Sequence, residues 1–311
     1  MPALPEAFVE RLHAILGEAA ARCCLAALSR PAPVAFRVNG LRATAPAVIA
    51  ELETVGLSPM PLSGFTDAFV VPPEQRERLT RSEAAVEGRI YVQNPASMVP
   101  PMILDPRPGE EVLDLAAAPG SKTLQMACLM QDRGRIAAVE VVRTRFFRLK
   151  ANIARQGATC IRTYRADGAG IWRKTPERFD RVLLDAPCSS EGRMRPGEPE
   201  SWAFWSERKI AEMARKQKRL LYSALRCLKP GGRLVYSTCA FAPEENEAVI
   251  DDQLRRIDGV RILPFELPFD NVQPGLTAWR GRAFHRDLTH ARRILPDGLM
   301  EGFFVCLMER G

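Results

Sequence analysis

The sequence is poor in histidine, with three, and none of them stands beside a cysteine. Its eight cysteines include no Cys-x-x-Cys pair. These two shortages exclude the usual zinc spacings, and no metal site is expected. No apolar run is long enough to cross a membrane. The opening residues mix Glu6, Glu10, Arg11, Glu18 and Arg22 with apolar positions, unlike a secretory leader. A cytoplasmic protein with free thiols is the expectation. The Gly-x-Gly-x-x-Gly and Gly-x-x-x-x-Gly-Lys-Ser/Thr signatures are missing too, which excludes the ordinary dinucleotide and triphosphate loops.

What is present is a chain of 311 residues with 46% hydrophobic residues and a net charge of +7. That length buries a full core, and the basic balance favours a polyanionic partner. Residues 4–28 read as one amphipathic helix or two short ones, ended by Pro31 and Pro33. Val34–Asn39 reads as a short strand and 47–55 as a helix, giving a small accessory, RNA-binding domain over 1–85. From about residue 108 strands and helices alternate, so 86–311 reads as an α/β domain with a mainly parallel sheet covered on both faces. Its expected strands are 111–115, 135–140, 159–164, 181–185 and 233–236, with 260–265 and 302–308 as the last two. Ligands of such sheets bind beyond the carboxyl ends of the strands.

Every chemically suggestive motif falls at one of those ends. After the first strand, Ala116, Ala117, Ala118, Pro119, Gly120, Ser121 and Lys122 form a small-residue turn into a helix, which lets a ligand approach the backbone. Glu140 ends the second strand, where an acid accepts from both hydroxyls of a ribose; Arg145 lies one turn on. Asp167 follows the third strand and suits an adenine amino group. Small residues, Glu and Asp at successive strand ends fit a nucleoside cofactor, and S-adenosyl-L-methionine adds a carboxylate suited to the first turn. The fourth strand runs into Asp185-Ala-Pro-Cys188 and the fifth into Ser237-Thr-Cys239. Adjacent strand ends bring the two cysteines together. A thiolate adding to C6 of a pyrimidine makes C5 nucleophilic, which is covalent catalysis. Asp185 would pair with N3 or the exocyclic amine of the base.

These segments resemble the RNA 5-methylcytosine methyltransferases, the family of the bacterial rRNA enzymes and the Nop2/Sun proteins. Asp185-Ala-Pro-Cys-Ser-Ser-Glu-Gly192 and Tyr236-Ser-Thr-Cys239 look like its two cysteine motifs, and 114–123 like its cofactor loop, with Ala116 and Ser121 in place of a cysteine and a glycine. Phe36-Arg-Val-Asn39, Gly88–Met98, Pro243-Glu-Glu-Asn-Glu247, Arg293-Ile-Leu-Pro296 and Glu301-Gly-Phe-Phe304 match further. The resemblance implies a Rossmann-like class I methyltransferase fold with a seven-stranded, mostly parallel sheet whose last strand is reversed. It implies Cys239 as nucleophile, Cys188 as the thiol assisting product release, and cofactor contacts at 116–122, Glu140, Arg145, Asp167 and Asp185.

The expected partner is RNA, with 16S rRNA favoured and tRNA open; a monomer is expected. A non-catalytic RNA-binding assembly factor with the same fold is the rival reading. The stretch 279–293 interleaves Trp279 and Phe284 with arginines, and is expected to hold RNA phosphates and a displaced base. Trp202 and Trp205 are open between the target channel and core packing.

Overall fold

The computed structural model describes residues 3–311. The N-terminal segment is two helices, Glu6–Leu16 and Glu18–Leu28, broken at Gly17, whose φ of +80° favours glycine. Their apolar stripe of Phe8, Leu12, Ile15, Ala21 and Cys24 packs with Met194 and Phe241 of the α/β part. The accessory unit is a four-stranded antiparallel sheet in the order Met60–Pro61, Ala68–Val71, Val34–Val38, Ile90–Val92. The boundary expected at 85 therefore falls inside this sheet, whose last strand pairs Phe36 with Val92. The first helices belong to the other half by packing. Amphipathic positions reveal that a helix buries a face, not which unit buries it.

Between the halves lies the helix Pro95–Leu104, capped by the Asn94 side chain accepting from Ala96 N, with Pro100 and Pro101 inside it. Pro101 has no N–H for the Ser97 carbonyl. The Gln93 Nε2 fills that gap at 3.1 Å, and Gln125 Nε2 donates to the next carbonyl, Met98 O, at 2.8 Å. Two buried amides thus stabilise a helix that the proline pair argues against.

The large sheet runs Val272–Pro274, Arg292–Ile294, Phe303–Arg310, Leu228–Thr238, Phe179–Asp185, Glu111–Asp114, Arg135–Val139, Ile161–Tyr164, with Val260–Ile262 also paired to Phe303–Arg310. The five strands from Leu228–Thr238 to Ile161–Tyr164 are parallel. Phe303–Arg310 is reversed against Leu228–Thr238. Against the seven strands expected, the sheet has nine. The difference lies at one edge. Val260–Ile262 pairs with 308–310 and Arg292–Ile294 with 303–305, so two short strands share the seventh lane end to end. Val272–Pro274 adds an outer lane on Arg292–Ile294. Strands this short carry no period-2 signal of their own.

Helices cover both faces. Glu207–Cys227 is amphipathic, burying Ile210, Met213, Ala214, Leu220, Leu221 and Leu225, and Ser206 caps it by accepting from Lys209 N at 3.0 Å. Each such leucine contributes about 2 kcal/mol. The Lys229-Pro-Gly-Gly232 turn loops out as a bulge: Phe179 pairs with Leu228, then Arg181 with Arg233. Among the described residues no helix is long and apolar enough to cross a membrane.

Candidate active site

The strands Glu111–Asp114 and Phe179–Asp185 end at a cleft of about 360 Å³. Ala116, Ala117, Ala118, Pro119, Ser121, Lys122, Arg145 and Asp185 line it, as the sequence led us to expect. So do Tyr91, Asn94, Ser97, Asp114 and Glu301, which lie in matching motifs but were given no site role, and Arg193. Burial pushes the Asp114 carboxyl up to about 7, while the Thr123 hydroxyl donates to it at 2.6 Å. Gly120 does not line the cleft. It turns the chain at φ +108°, and a Cβ there would meet Leu149 Cδ1 at 2.9 Å. That contact packs the turn against the helix Arg143–Gln156.

Two expected cofactor acids stand apart from the lining. Glu140 is buried, accepting from Val142 N at 2.8 Å, with Arg145 at 3.8 Å. Asp167 accepts from Ala169 N at 3.0 Å and caps the short helix Gly168–Arg173. It lines a separate depression with Glu212, Arg215, Lys216 and Arg219. Its strand end is the outermost of the parallel set, and the local Asx geometry turns its carboxylate onto its own backbone.

Lys122 is buried and points away from the turn that carries it. Its Nζ donates to Asp185 Oδ2 at 2.6 Å and Ser97 Oγ at 2.7 Å. Ser237 Oγ donates to the other Asp185 oxygen at 2.9 Å. Asp185 is thereby held from two segments, one at each oxygen, which fixes the plane of its carboxylate.

The two cysteines meet: Cys188 Sγ lies 3.3 Å from Cys239 Sγ. The hydrogen bond from Cys188 holds the Cys239 thiol down at about 7, against burial, with the Arg193 guanidinium helping. The same bond pushes Cys188 well above the ordinary thiol range, and burial and Glu245 push it further. Arg193 is held in turn by Glu301, Nε to Oε2 at 2.8 Å. The Cys188 loop closes on the last strand by backbone contact. Gly192 N donates to Cys239 O at 2.8 Å and Gly302 N to Gly192 O at 3.1 Å. A Cβ on Gly192 would sit 2.1 Å from Gly302 O.

The Pro243-Glu-Glu-Asn-Glu247 segment is the support for both loops. Glu245 is fully buried and accepts from Ser189 N at 3.0 Å and Gln217 Nε2 at 2.7 Å; burial pushes it up to about 8. Asn246 spans the neighbours of Cys239, accepting from Thr238 Oγ1 at 2.6 Å and donating to Ala240 O at 2.9 Å. Glu247 pairs with buried Arg293 at 2.5 Å. Trp205 is core: it packs edge-on to Phe8 and donates to Glu191 Oε1 at 3.0 Å. Trp202 joins the same cluster.

Four of the five arginines in the stretch 279–293 pair with acids from elsewhere in the fold, and Arg286, 93% exposed, meets only Asp287 beside it at 3.6 Å. Arg280 pairs with Glu207, Arg282 with Asp251, Arg292 with Glu266 and Arg293 with Glu247. Phe284 is buried, and Trp279 donates to Glu244 at 3.0 Å. The acids that neutralise it come from helices and loops distant in sequence, so the stretch alone reads as more basic than it is.

Residues 101–309 match the family described as 16S rRNA methyltransferase RsmB/F. The tRNA (cytosine(49)-C(5))-methyltransferase of Pyrococcus abyssi is 41% identical over 227 residues, covering 72% of this chain and 71% of that one. Ribosomal RNA small subunit methyltransferase F of Cronobacter sakazakii is 36% identical over 313 residues, covering 99% of this chain. The chain spans 63% of that relative's length. A crystal structure of a methyltransferase homolog protein from Pyrococcus horikoshii superposes with a TM-score of 0.85 at 33% identity, covering 99% of this chain and 96% of that one. By the family match and these identities, the chain belongs to the RsmB/F family of RNA methyltransferases.

Proposed function

We propose that this chain methylates C5 of cytosine in RNA with S-adenosyl-L-methionine as donor, and that the RNA is 16S rRNA. The observation that carries the chemistry is the thiol pair at 3.3 Å with Cys239 held near neutrality, beside a carboxylate fixed by Lys122 and Ser237. The cleft suits the donor's chemistry. It sets the carboxylates of Asp114, Asp185 and Glu301 and the cations of Lys122, Arg145 and Arg193 around small residues. That mixed set fits a molecule carrying both an ammonium and a carboxylate. Residues 116–122 and Arg145 hold its amino-acid end, Glu140 its ribose, and Asp167 its adenine edge. The cofactor supplies an electrophilic methyl group.

The chain's own residues do the rest. The Cys239 thiolate adds to C6 of the cytosine, and the electron pair of the C5–C6 double bond becomes available at C5. Asp185 stabilises the adduct at N3. After methylation a base removes the C5 proton, the C5–C6 bond reforms and the Cys239 sulfur leaves as thiolate. Cys188 handles the proton of that release. The target base must leave its stack to reach a buried sulfur.

Ribosomal RNA is favoured because the likeness to the rRNA relative runs over 99% of this chain, N-terminal sheet included. It would place the reaction in the cytoplasm. Transfer RNA is the second reading, resting on the 41% identity to the tRNA relative over 227 residues. Bisulfite sequencing of total RNA from a deletion strain and its parent separates them. Loss of a 5-methylcytosine from 16S rRNA supports the first reading and loss from tRNA the second. If no site is lost and the purified protein transfers no labelled methyl group to either RNA, the reading falls.

A further inference from the structure

The expected basic stretch is mostly neutralised, but another surface of the molecule is not. The helix Arg143–Gln156 carries no acidic residue. Its exposed face bears Arg143, Phe147 and Lys150 at i, i+4, i+7, with Arg148 and Arg155 on the adjoining stripe. None of these four cations makes an ion pair among the described residues. Phe147 is 53% exposed, with the Arg143 guanidinium 5.9 Å from its ring centre. The first turn has no acid and no side-chain cap, so Arg143 stands against the positive end of the helix dipole. Like charges and an uncapped basic N-terminus both destabilise a helix. A face kept only for solubility would mix signs, as Glu207–Cys227 does with Glu207 and Glu212.

The position of this face relative to the cleft adds a second observation. A groove of about 260 Å³, lined by Thr80, Ala85, Val86, Tyr91 and Arg155, opens beside the helix's C-terminal end. Tyr91 and Val92 line both this groove and the candidate active-site cleft. The two hollows are neighbours across these residues, and Arg155 of the basic helix lines the second. The seam is rigid: Asn39 Nδ2 donates to Gly88 O at 2.8 Å and Gln156 O at 2.9 Å, and Gln156 Nε2 donates to Ile90 O at 2.9 Å.

We infer that RNA flanking the target nucleotide leaves the cleft over Tyr91 and docks its phosphodiester backbone on Arg143, Arg148, Lys150 and Arg155, with Phe147 stacking a base. Cations with no acidic partner among the described residues, of which Arg155 donates only to Asn152 Oδ1 at 3.0 Å, suit phosphates, whose neutralisation releases counterions. An exposed aromatic among them suits single-stranded bases. This inference rests on the RNA reading above and specifies where the RNA lies.

The test measures binding of an oligocytidylate RNA to the full chain across a salt series. Three variants enter it: a quadruple variant (Arg143→Gln, Arg148→Gln, Lys150→Gln, Arg155→Gln), Phe147→Ala, and a control (Arg280→Gln, Arg282→Gln). Labelled-methyl transfer to unmethylated bulk RNA is run on the wild type in parallel. The quadruple variant is expected to bind roughly 100-fold more weakly at 0.1 M salt, with the log–log salt slope reduced by about 3. Phe147→Ala is expected to lose about tenfold in affinity with its slope intact. The control is expected to keep the wild-type slope. A wild type that methylates RNA beside a quadruple variant of unchanged slope overturns this inference alone. Equal loss of slope in quadruple variant and control also overturns it, because charge count rather than place would then decide. A wild type that neither binds nor methylates RNA overturns this inference and the functional reading together.

Discussion

Cys188 and Cys239 are the same residue type on adjacent strand ends, with sulfurs 3.3 Å apart, yet their surroundings drive them in opposite directions. Both sit where burial disfavours a thiolate. The separation comes first from their shared hydrogen bond, which favours charge on Cys239 and the proton on Cys188. The neighbours then reinforce that choice: Arg193 faces Cys239, while Glu245 lies behind Cys188. Two groups whose environments push their acidities apart are suited to two roles, nucleophile and proton carrier. The lesson is that the hydrogen bond splits the pair, and one guanidinium and one buried carboxylate reinforce the direction of the split.

The largest break in that comparison is Cys239→Ala. Turnover is expected to fall by roughly 10⁴-fold or more, with no denaturation-resistant adduct on 5-fluorocytosine RNA and cofactor affinity near that of the wild type. Turnover retained in this variant would remove Cys239 as the nucleophile. Cys188→Ala should act later and less severely. Addition to C6 remains possible, but release lacks its proton carrier, so a covalent RNA complex is expected to accumulate on gels and steady-state turnover to fall about 100-fold. A variant that turns over fast with no accumulated adduct would contradict the release role.

Much of this pair was legible in sequence. Both cysteines follow apolar strand runs, and neighbouring strands of a parallel sheet deliver their ends to one place whatever their separation along the chain. The parallel half of the sheet and the helix Arg143–Gln156 were legible for the same reason: each has a period long enough to stand alone. What was not legible depends on distant partners. Arg193 lies in the cysteine motif's own continuation, but only Glu301, 108 residues on, shows what holds it. The sequence of Pro243–Glu247 contains no hint that Glu245 grips one cysteine loop and Asn246 the other. Asp167 was read from its strand end, but that one of its oxygens also caps its own backbone at Ala169 was not. The arginines of 279–293 were counted as free because Glu207, Asp251, Glu266 and Glu247 approach them only in the folded chain.

The smallest expected effect is also the sharpest probe of the asymmetry. With Cys239 held at about 7, its sulfur is largely protonated below pH 6 and largely thiolate above pH 8. The rate of adduct formation should therefore rise through that window and level off above it, well before an ordinary thiol would. Arg193→Gln removes the cation facing Cys239 but leaves both sulfurs and their hydrogen bond. A positive neighbour favours the charged form of a thiol, so its loss must move the rising limb to higher pH. A shift of about one unit, and hence roughly a tenfold lower rate at pH 7 that recovers near pH 9, is expected. Recovery at high pH separates an electrostatic role from a structural one, since a disordered loop would stay slow at every pH. An unshifted limb would mean that Cys188 alone sets the acidity of Cys239, and the asymmetry would then reside in the sulfur pair and not in the loops around it.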